Sequence, residues 1–474
     1  MKSLLRLLLC LVVSAAFALD SFAAAETNKS GFHHPGVLIN RAQLDFIKGK
    51  IASGTEPWKS AFHAAKASNL GALDYTPRPI DAVICGPRSN PDIGCKDEQR
   101  DSEAAYAQAL LWYFTGNKTY AANAIKIMNA WSSTLTGGHK RENGPVQAAW
   151  CAEVWPRAAE IIRYSDAGWS EADIAKFQDM LTKQYVPSLV DGSCENGNKE
   201  ISMSEALINI GVFNDDRVIF DAGVKMWRGR APALVYLTTD GPTPVKPEGC
   251  DMAIWGNKGY TTPLVDGLLQ ETCRDSGHAN MALSAMVNAA ETARQQGIDL
   301  YAEQGKRIMA ALEYQAQFLP PHNAPAPEKL EFTLQPTWEI AYNHFHNRLG
   351  HRLPKIAAVL PTNRPTGVKQ HMVWETLTHA QVGAVGLPPV HRSGEATFPG
   401  GKFPGRNLQF LAAVDQRGGA ENAESRRGGR LPAQRRWETA ASLGMLRVSA
   451  FRWQTRFPSK KKSGPEQVPA RFKI

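Results

Sequence analysis

The sequence predicts a mostly helical protein built from consecutive antiparallel helical hairpins. Apolar residues recur at helical spacing, strand-like alternation is scarce, and short Gly/Pro/Asn/Asp breaks separate the helical segments. Residues 101–132 show the pattern, because two helical stretches there flank a Gly-Asn turn at 116–117. Hairpins in series either stack in a line or close into a ring.

The remaining elements follow the same rhythm of helix, short break and helix. Helices are expected near 149–165, 170–189, 200–212, 217–228, 272–296, 299–318, 336–349 and 370–384. Residues 234–237 form the one plausible short strand. Two long Gly/Pro-rich connections, 238–262 and 320–330, interrupt the rhythm, and such loops in compact domains are more often functional than filler.

The N-terminus predicts export from the cytoplasm. Lys2 and Arg6 precede an apolar stretch at 7–19 that is too short to span a bilayer, and small residues end at Ala25. We therefore expect residues 1–25 to be a signal peptide, cleaved after Ala25, and the mature protein to be periplasmic or secreted. Later in the chain we find no apolar run of membrane-spanning length.

The cysteines suit an oxidising compartment. The chain has 7 cysteines, and removal of Cys10 with the signal leaves six, an even number that permits disulfides. Cys85 and Cys95 bracket a Gly/Pro/Asn loop and are the best candidates for a bridge, whereas other pairings stay open. No C-x-x-C pattern occurs, so the sequence gives no indication of cysteine-bound zinc or redox work.

The positive charge belongs to the C-terminal segment. Residues 391–474 contain 17 Lys and Arg and 6 Asp and Glu, a net charge of +11. The formal net charge of the whole chain is +9. Since residues 1–25 add +1, residues 26–390 are left at −3, which gives the body no general attraction for polyanions. We expect a helical domain at 26–390 and a poorly ordered Gly/Arg-rich tail at 391–474. Contact of the tail with nucleic acid or anionic glycan, and an aberrant reading frame, are the alternatives; no nucleic-acid partner is expected.

One block with candidate reactive side chains is CENGNKEISMSEALINIGVFNDD, at 194–216. An Asn-Gly turn leads here into a helix, with Asn198 near its N-terminus and Glu200 in its first turn, where a carboxylate suits the helix dipole. Taken alone, the block reads as an ordinary capped turn.

A second block is LQETCRDSGHANMALSAMVNAAETA, at 269–293. Arg274 and His278 are four residues apart and share one helical face. Burial of a cation and an imidazole on a helical face that points to the interior costs free energy, unless they are paired or line a cavity that contains water. Ordinary pairing with Glu271 or Asp275 is the structural alternative.

Aromatic and polar side chains mark two further places. Tyr342 and His344 lie among aromatics in the segment 336–350, and the long loop carries Trp255, a stacking surface, and Tyr260, a phenol. The segment 344–346 has a His-x-His pattern, but side chains two residues apart on a helix point in different directions, so we expect no metal there. We also expect no cofactor.

Several blocks, in order along residues 31–390, resemble the alginate-lyase superfamily of bacterial polysaccharide lyases. They are HPGVLINRAQLDFIKGKI, NGNKEISMSEA, QETCRDSGHA, EIAYNHFHNRLG and VWETLTHAQVGAVGLPP. The resemblance implies an all-α fold, an incomplete (α/α) toroid of antiparallel helical hairpins with a cleft across one end. It also implies β-elimination on an anionic uronic-acid polysaccharide, such as alginate or glucuronan, that leaves a C4–C5 unsaturated uronate.

The resemblance also assigns candidate roles by position. Asn198 matches the amide that neutralises the uronate carboxylate, and Arg274 matches the arginine of the sugar cleft. His278 is a base or a neutralising group, and Tyr260 is a base and acid. The expected substrate-binding residues are Glu200, Trp255, Tyr342 and His344, of which the last two are alternatives for acid–base work.

The chain departs from the better-known alginate lyases at two positions. Those enzymes have an Asn-His pair where this chain has Asn198-Lys199 or Gly197-Asn198, and a Tyr seven residues beyond the Arg where this chain has Met281. Side chains can neutralise a uronate carboxylate, so the chemistry requires no metal.

Two other classes of function fit parts of the same pattern. A helical-toroid glycoside hydrolase needs two carboxylates that flank the bond, and Glu200, Asp251 and Glu271 are candidates. A non-catalytic periplasmic glycan-binding protein needs only the aromatic and polar surface. The sequence leaves the oligomeric state open.

Overall fold

Helices make up most of the regular structure in the computed structural model, which describes residues 30–255, 263–327 and 330–390. The predicted signal peptide, Tyr260 and the basic tail lie outside these residues. The helices are α1 Arg41–Ala52, α2 Trp58–Ala67, α3 Cys95–Thr115, α4 Lys118–Thr134, α5 Gly144–Arg163, α6 Glu171–Met180, α7 Val186–Leu189, α8 Gly197–Phe213, α9 Arg217–Leu234, α10 Met252–Trp255, α11 Ser276–Gln295, α12 Leu300–Ala316, α13 Glu339–Tyr342, α14 Pro354–Asn363 and α15 Glu375–His379. The strands are β1 Val83–Cys85, β2 Asp92–Ile93, β3 His139–Lys140, β4 Val368–Lys369 and β5 Met372–Val373.

Four long helices form the inner wall of the fold. Helix α3 packs against α5, α5 against α8, and α8 against α11. Helices α5, α8 and α11 are buried over most of their circumference, as expected for helices with neighbours on every side. Each of the four is followed by a connection back along the outside, so their N-termini point to the same end of the fold.

The outer helices complete the predicted hairpins. Helix α4 packs on α3, α9 on α8 and α12 on α11, and each exposes one face. The apolar side chains form two main clusters, one centred on α3 and α5 and the other on α11 and α12.

Residues 33–40 and 379–388 meet and close the ring. The Leu38 carbonyl accepts a hydrogen bond from the ring of His379 at 3.2 Å, and the Asn40 amide donates to the Gly386 carbonyl at 3.0 Å. Helix α11 lies behind this seam, since Thr292 Oγ1 accepts from the Leu38 N–H at 3.1 Å. The seam thus joins the two ends of the helical body without a covalent bond.

Two predicted elements differ from the structure. Residues 234–237 contribute a single β-bridge, from Val235 to Leu269, because Leu234 still belongs to α9. Residues 370–384 are not one helix. Gln370 and Trp374 have φ angles of 49° and 53°, which end helical continuity. The segment forms the β4–β5 hairpin followed by the short helix α15.

Two disulfides lie among the described residues. The predicted bridge between Cys85 and Cys95 is confirmed, and a second joins Cys194 to Cys250. Cys151 and Cys273 are free thiols. In the part of the chain that the structure describes, no helix is long and apolar enough to cross a membrane.

The second disulfide is expected to contribute more stability than the first. It closes a sequence separation of 56 residues, against 10 for Cys85–Cys95. Loop-closure entropy then gives about 4 kcal/mol for the longer loop and about 3 kcal/mol for the shorter one. Urea unfolding of the two double Cys→Ser variants measures the difference. Equal losses, or a larger loss for the Cys85–Cys95 variant, would contradict this ranking.

A buried histidine is expected to make the stability fall at alkaline pH. His34 lies 3.0 Å from Glu160 Oε2 and 3.0 Å from Asp215 Oδ1, and its side chain is only 4% exposed. Burial lowers the pKa of His34, but the charges and hydrogen bonds of Glu160 and Asp215 outweigh it and raise this pKa from 6.5 to about 9. The charged form is therefore favoured in the folded state.

The resulting stabilisation, about 3 kcal/mol, is fully present below pH 6.5 and is lost as the pH rises through about 9. The measurement is the free energy of unfolding from pH 6 to 10 in the wild type and in His34→Gln. The variant should be less stable at pH 6 and should show a shallower decline. Parallel curves would show that His34 is not the titrating group.

Candidate active site

The N-terminus of α8 is held by its own capping residue and by a close helix contact. Asn196 is the N-cap, and its side chain accepts from the Lys199 N–H at 3.0 Å. A Cβ at Gly197 would lie 2.4 Å from Leu234 Cδ1, so a larger residue there would require the Leu234 side chain to shift. This close packing sets Asn198 in the first turn of the helix.

The N-terminus of α11 carries the second half of the site. Asp275 is the N-cap, and its Oδ1 accepts from the His278 N–H at 2.8 Å. The other oxygen, Oδ2, lies 2.7 Å from Nδ1 of the His278 ring. One carboxylate therefore fixes both the start of the helix and the orientation of the imidazole.

Glu271 joins the two helix ends. Its Oε2 accepts from the backbone N–H of Asn198 at 3.2 Å, and its Oε1 accepts from Arg274 Nη1 at 2.9 Å. Glu271 is buried, whereas the side chain of Arg274 is 42% exposed and that of His278 is 30% exposed. Asn198, Glu271, Arg274, Asp275 and His278 are called the polar cluster below.

The electrostatics of the polar cluster favour an ionised Asp275. Burial acts to raise the pKa of Asp275, but the His278 N–H, the His278 ring and Arg274 outweigh burial and hold this pKa below its usual value. An ionised Asp275 accepts from Nδ1–H of His278, which leaves Nε2 with the lone pair that a general base needs.

The amide of Asn198 has spare hydrogen-bonding capacity. The residue is 3% exposed, and its buried Oδ1 has no hydrogen-bond partner within the described ranges. Buried polar atoms of folded proteins are almost always bonded, so an unused one points to a ligand. Oδ1 can only accept, as from a sugar hydroxyl, and Nδ2 is the atom of this amide that can donate to a carboxylate.

The structure adds a cation that the sequence did not reveal. A Cβ built on Gly277 would lie 3.3 Å from Lys369 Nζ and 3.0 Å from Asp275 Oδ1, so the lysine stands beside the polar cluster. Lys369 donates to Gln335 Oε1 at 2.6 Å. It comes from β4, directly before the segment 370–384 that was predicted to be helical, and no local sequence signal relates it to the polar cluster.

Two of the predicted substrate-binding residues have structural roles instead. Glu200 is fully buried and accepts from the Cys194 N–H at 2.7 Å and from Arg230 Nε at 2.9 Å. Trp255 is also fully buried, and its Cη2 lies 3.6 Å from a Cβ built on Gly197. Its ring supports the start of α8 and offers no face to a sugar, which corrects the stacking prediction.

His344, predicted to bind substrate, lies apart from the polar cluster. His344 is 4% exposed and stacks on Tyr301 with ring centroids 3.8 Å apart, beside the start of α12 and thus after the far end of α11. Burial lowers the pKa of His344 to about 3. This buried position corrects the prediction that His344 contacts the substrate. Tyr342 is half-buried and stacks on His346 at 4.6 Å.

The cysteines near Glu200 do not form a metal site. Cys194, Glu200 and Cys250 have ligand-type atoms close together, but the two sulfurs are bonded to each other. A disulfide has no thiolate to offer a metal, and Arg230 already neutralises the carboxylate.

Comparison with protein families matches part of the chain to a known family. The sequence model of the family described as Alginate lyase matches residues 86–244 and 264–324, which include Asn198, Arg274 and His278. Comparison with curated proteins finds no match.

The fold is similar to that of alginate lyase A1-III from Sphingomonas species A1. The two share 17% sequence identity with a TM-score of 0.50, over 75% of this chain and 97% of that one. A variant of the same enzyme complexed with a tetrasaccharide gives 18% identity and the same TM-score, over 75% and 97% of the two chains. At this identity the likeness establishes the fold, which is the predicted incomplete (α/α) toroid.

The family match, together with the helical toroid fold, indicates a polysaccharide lyase. The family match at residues 86–244 and 264–324 agrees with the resemblance to the alginate-lyase superfamily that the ordered sequence blocks predicted.

Proposed function

We propose that the protein cleaves an anionic uronic-acid polysaccharide, of the alginate or glucuronan type, by β-elimination at the polar cluster. The observation that carries the proposal is that Glu271 binds both the backbone N–H of Asn198 and the guanidinium of Arg274. Asp275, next to Arg274, holds the imidazole of His278, which lies 80 positions after Asn198 in the sequence. Together Asn198, Arg274 and His278 provide an amide, a guanidinium and an imidazole at one place.

Neutralisation of the substrate carboxylate is the first requirement of the reaction. The C5 proton of a uronate is weakly acidic, since its removal pushes charge onto the neighbouring carboxylate. Pre-positioned donors stabilise such developing charge. The Asn198 amide and the exposed Arg274 guanidinium supply those donors, and Lys369 adds a positive charge beside them.

Proton abstraction is assigned to His278. Asp275 accepts from Nδ1–H, so Nε2 is the nitrogen that removes the C5 proton. Departure of the O4 leaving group needs a proton donor. Tyr260, which lies outside the described residues, stays the predicted donor, and the position of the tyrosine found in other alginate lyases is taken here by the buried Met281.

A hydrolytic mechanism is disfavoured by the state of the available carboxylates. A glycoside hydrolase needs two carboxyl groups free to act on either side of the bond. Of the three candidates, Glu200 and Glu271 are instead buried and ion-paired with Arg230 and Arg274, at 2.9 Å in each case, so neither is available to act together with the exposed Asp251.

We further propose that the enzyme acts in a periplasm or outside the cell, after cleavage of a signal peptide. The two disulfides support this location, because such bridges form and persist in oxidising compartments.

The deciding experiment is a polysaccharide panel of alginate, glucuronan, hyaluronan and pectate, followed by ultraviolet absorbance of the unsaturated product. We expect a rise in absorbance with at least one uronate polymer. New reducing ends without absorbance would establish a hydrolase, and binding without any shortening of the polymer would establish a glycan-binding protein. Either result, or inactivity on all four, would refute the proposal.

A further inference from the structure

A second group of polar side chains lies inside the ring, below the polar cluster. Glu153 comes from α5, Glu205 from α8 and His371 from the turn between β4 and β5, and all three are fully buried. One ligand-type atom from each lies within 4.8 Å of the other two. Glu205 follows Asn198 by two helical turns on α8, which places the group beneath the polar cluster.

The tautomer of His371 makes its contact with Glu153 unusual. Nε2 lies 2.9 Å from the Met281 carbonyl oxygen, which can only accept, so Nε2 carries the proton. In the neutral ring, Nδ1 then has a lone pair, and it lies 2.8 Å from Glu153 Oε2. The two atoms form no hydrogen bond of acceptable geometry within the described structure. Two electron-rich atoms at this distance repel unless they share a positive centre.

The separation of these atoms fits two ligands of one ion. Zinc binds imidazole nitrogen and carboxylate oxygen at roughly 2.0–2.1 Å, so neighbouring ligand atoms lie about 3 Å apart. A hydrogen bond would need the proton to lie along the line between them, whereas shared coordination does not.

Ser202 provides an independent indication of a ligand. Its side chain is fully buried one turn before Glu205, and its hydroxyl faces the Glu153 carboxylate. Ser202 is close enough to interact with Glu153, yet neither the hydroxyl nor either Glu153 oxygen makes a hydrogen bond of acceptable geometry in the described part of the chain. Such a concentration of unused buried atoms is exceptional in folded proteins.

The charges around the group also leave room for a divalent cation. Arg157 is the guanidinium that bonds to Glu205, and it interacts as well with Glu153 and with a third buried carboxyl, Glu375. One guanidinium does not balance three carboxylates, whereas one guanidinium and one divalent cation do. Bound protons are the alternative counter-charge, since burial favours neutral carboxyl groups.

We propose that Glu153, Glu205 and His371 bind one divalent cation of the zinc class inside the toroid. Two carboxylates and one imidazole are ligands that zinc accepts. The ion ties the β4–β5 hairpin, which carries Lys369, to the inner helices α5 and α8. It is structural, because its ligands are sealed from solvent and from substrate. The inference does not depend on the lyase reaction proposed above.

The first test is the metal content of the untagged full chain, purified without chelator and measured by mass spectrometry. We expect one zinc ion per chain in the wild type and in Glu375→Gln. Glu153→Gln and His371→Gln should lose it. Glu375→Gln is the matched control, because it makes the same change at another buried carboxyl that also lies near Arg157 but outside the ligand set.

The second test uses only wild-type protein and therefore survives any failure of the variants to fold. Removal of metal by a chelator should lower the thermal midpoint, and Zn²⁺ should restore it, since an ion that binds only the folded state stabilises that state. Co²⁺ in place of Zn²⁺ should give visible absorption. If the wild type contains no metal and added Zn²⁺ leaves its thermal midpoint unchanged, the proposal is overturned. Bound protons would then balance the charge of the buried carboxylates. Retention of zinc by Glu153→Gln and His371→Gln would place the ion elsewhere and overturn it equally.

Discussion

Asn198→Ala is expected to lower kcat by about 10²–10³-fold, the usual cost of removing one donor aimed at developing charge. The side chain stands at the polar cluster, and its buried Oδ1 bonds to none of the described residues. The bond from its backbone N–H to Glu271 survives the substitution. The free energy of unfolding should therefore change by less than about 1 kcal/mol.

Asn209→Ala is the matched control for this prediction, since Asn209 lies on the same helix and is also buried. It donates to the Glu153 carbonyl at 2.9 Å and accepts from Thr292 at 2.9 Å. Its loss should lower stability without a specific effect on the chemical step. Steady-state kinetics and urea unfolding of both variants give the comparison. An Asn198→Ala enzyme with near wild-type kcat, or one as unstable as Asn209→Ala, would remove Asn198 from the reaction.

His278→Ala should lower kcat by about 10²–10⁴-fold, because a positioned base contributes a factor of this size. Its side chain is 30% exposed, and its contact with Asp275 is the polar contact within the cluster that the substitution removes. The thermal midpoint is thus expected to stay close to that of the wild type.

Asp275→Asn separates the orientation of His278 from the capping of α11. Asparagine caps helices as well as aspartate does, so the His278 N–H keeps an acceptor and stability is maintained. The amide no longer holds Nδ1–H as a carboxylate does, and kcat should fall while KM changes little. If Asp275→Asn had full activity, Asp275 would be a cap alone. If His278→Ala had full activity, the base would have to be sought among groups such as Tyr260.

The sequence was sufficient to predict the helical body and three members of the polar cluster. Apolar periodicity with short breaks determines where helices form, and the ordered blocks around Asn198, Arg274 and His278 indicate the toroid. The hairpin pairs then bring these residues together, because the inner helices run in the same direction.

What the sequence did not reveal depends on contacts between distant segments. The apolar residues of 370–384 suit a helix, and only the left-handed backbone of Gln370 and Trp374 shows that the chain turns there. That turn brings Lys369 to the polar cluster. The carboxylate of Glu200 suits a helix N-terminus, yet its partner Arg230 lies 30 positions away. Burial of Trp255 follows in the same way from the close approach at Gly197.

The non-covalent seam between residues 33–40 and 379–388 has a consequence for connectivity. The two segments lie within hydrogen-bonding distance, so a short covalent link could join them and make the helical body circular. The exposed turn at Gly116 and Asn117, between α3 and α4, then offers a place to cut. Circular permutants of this kind would have the same inner helices with a different order of synthesis, and would show whether the ring depends on its linear sequence order.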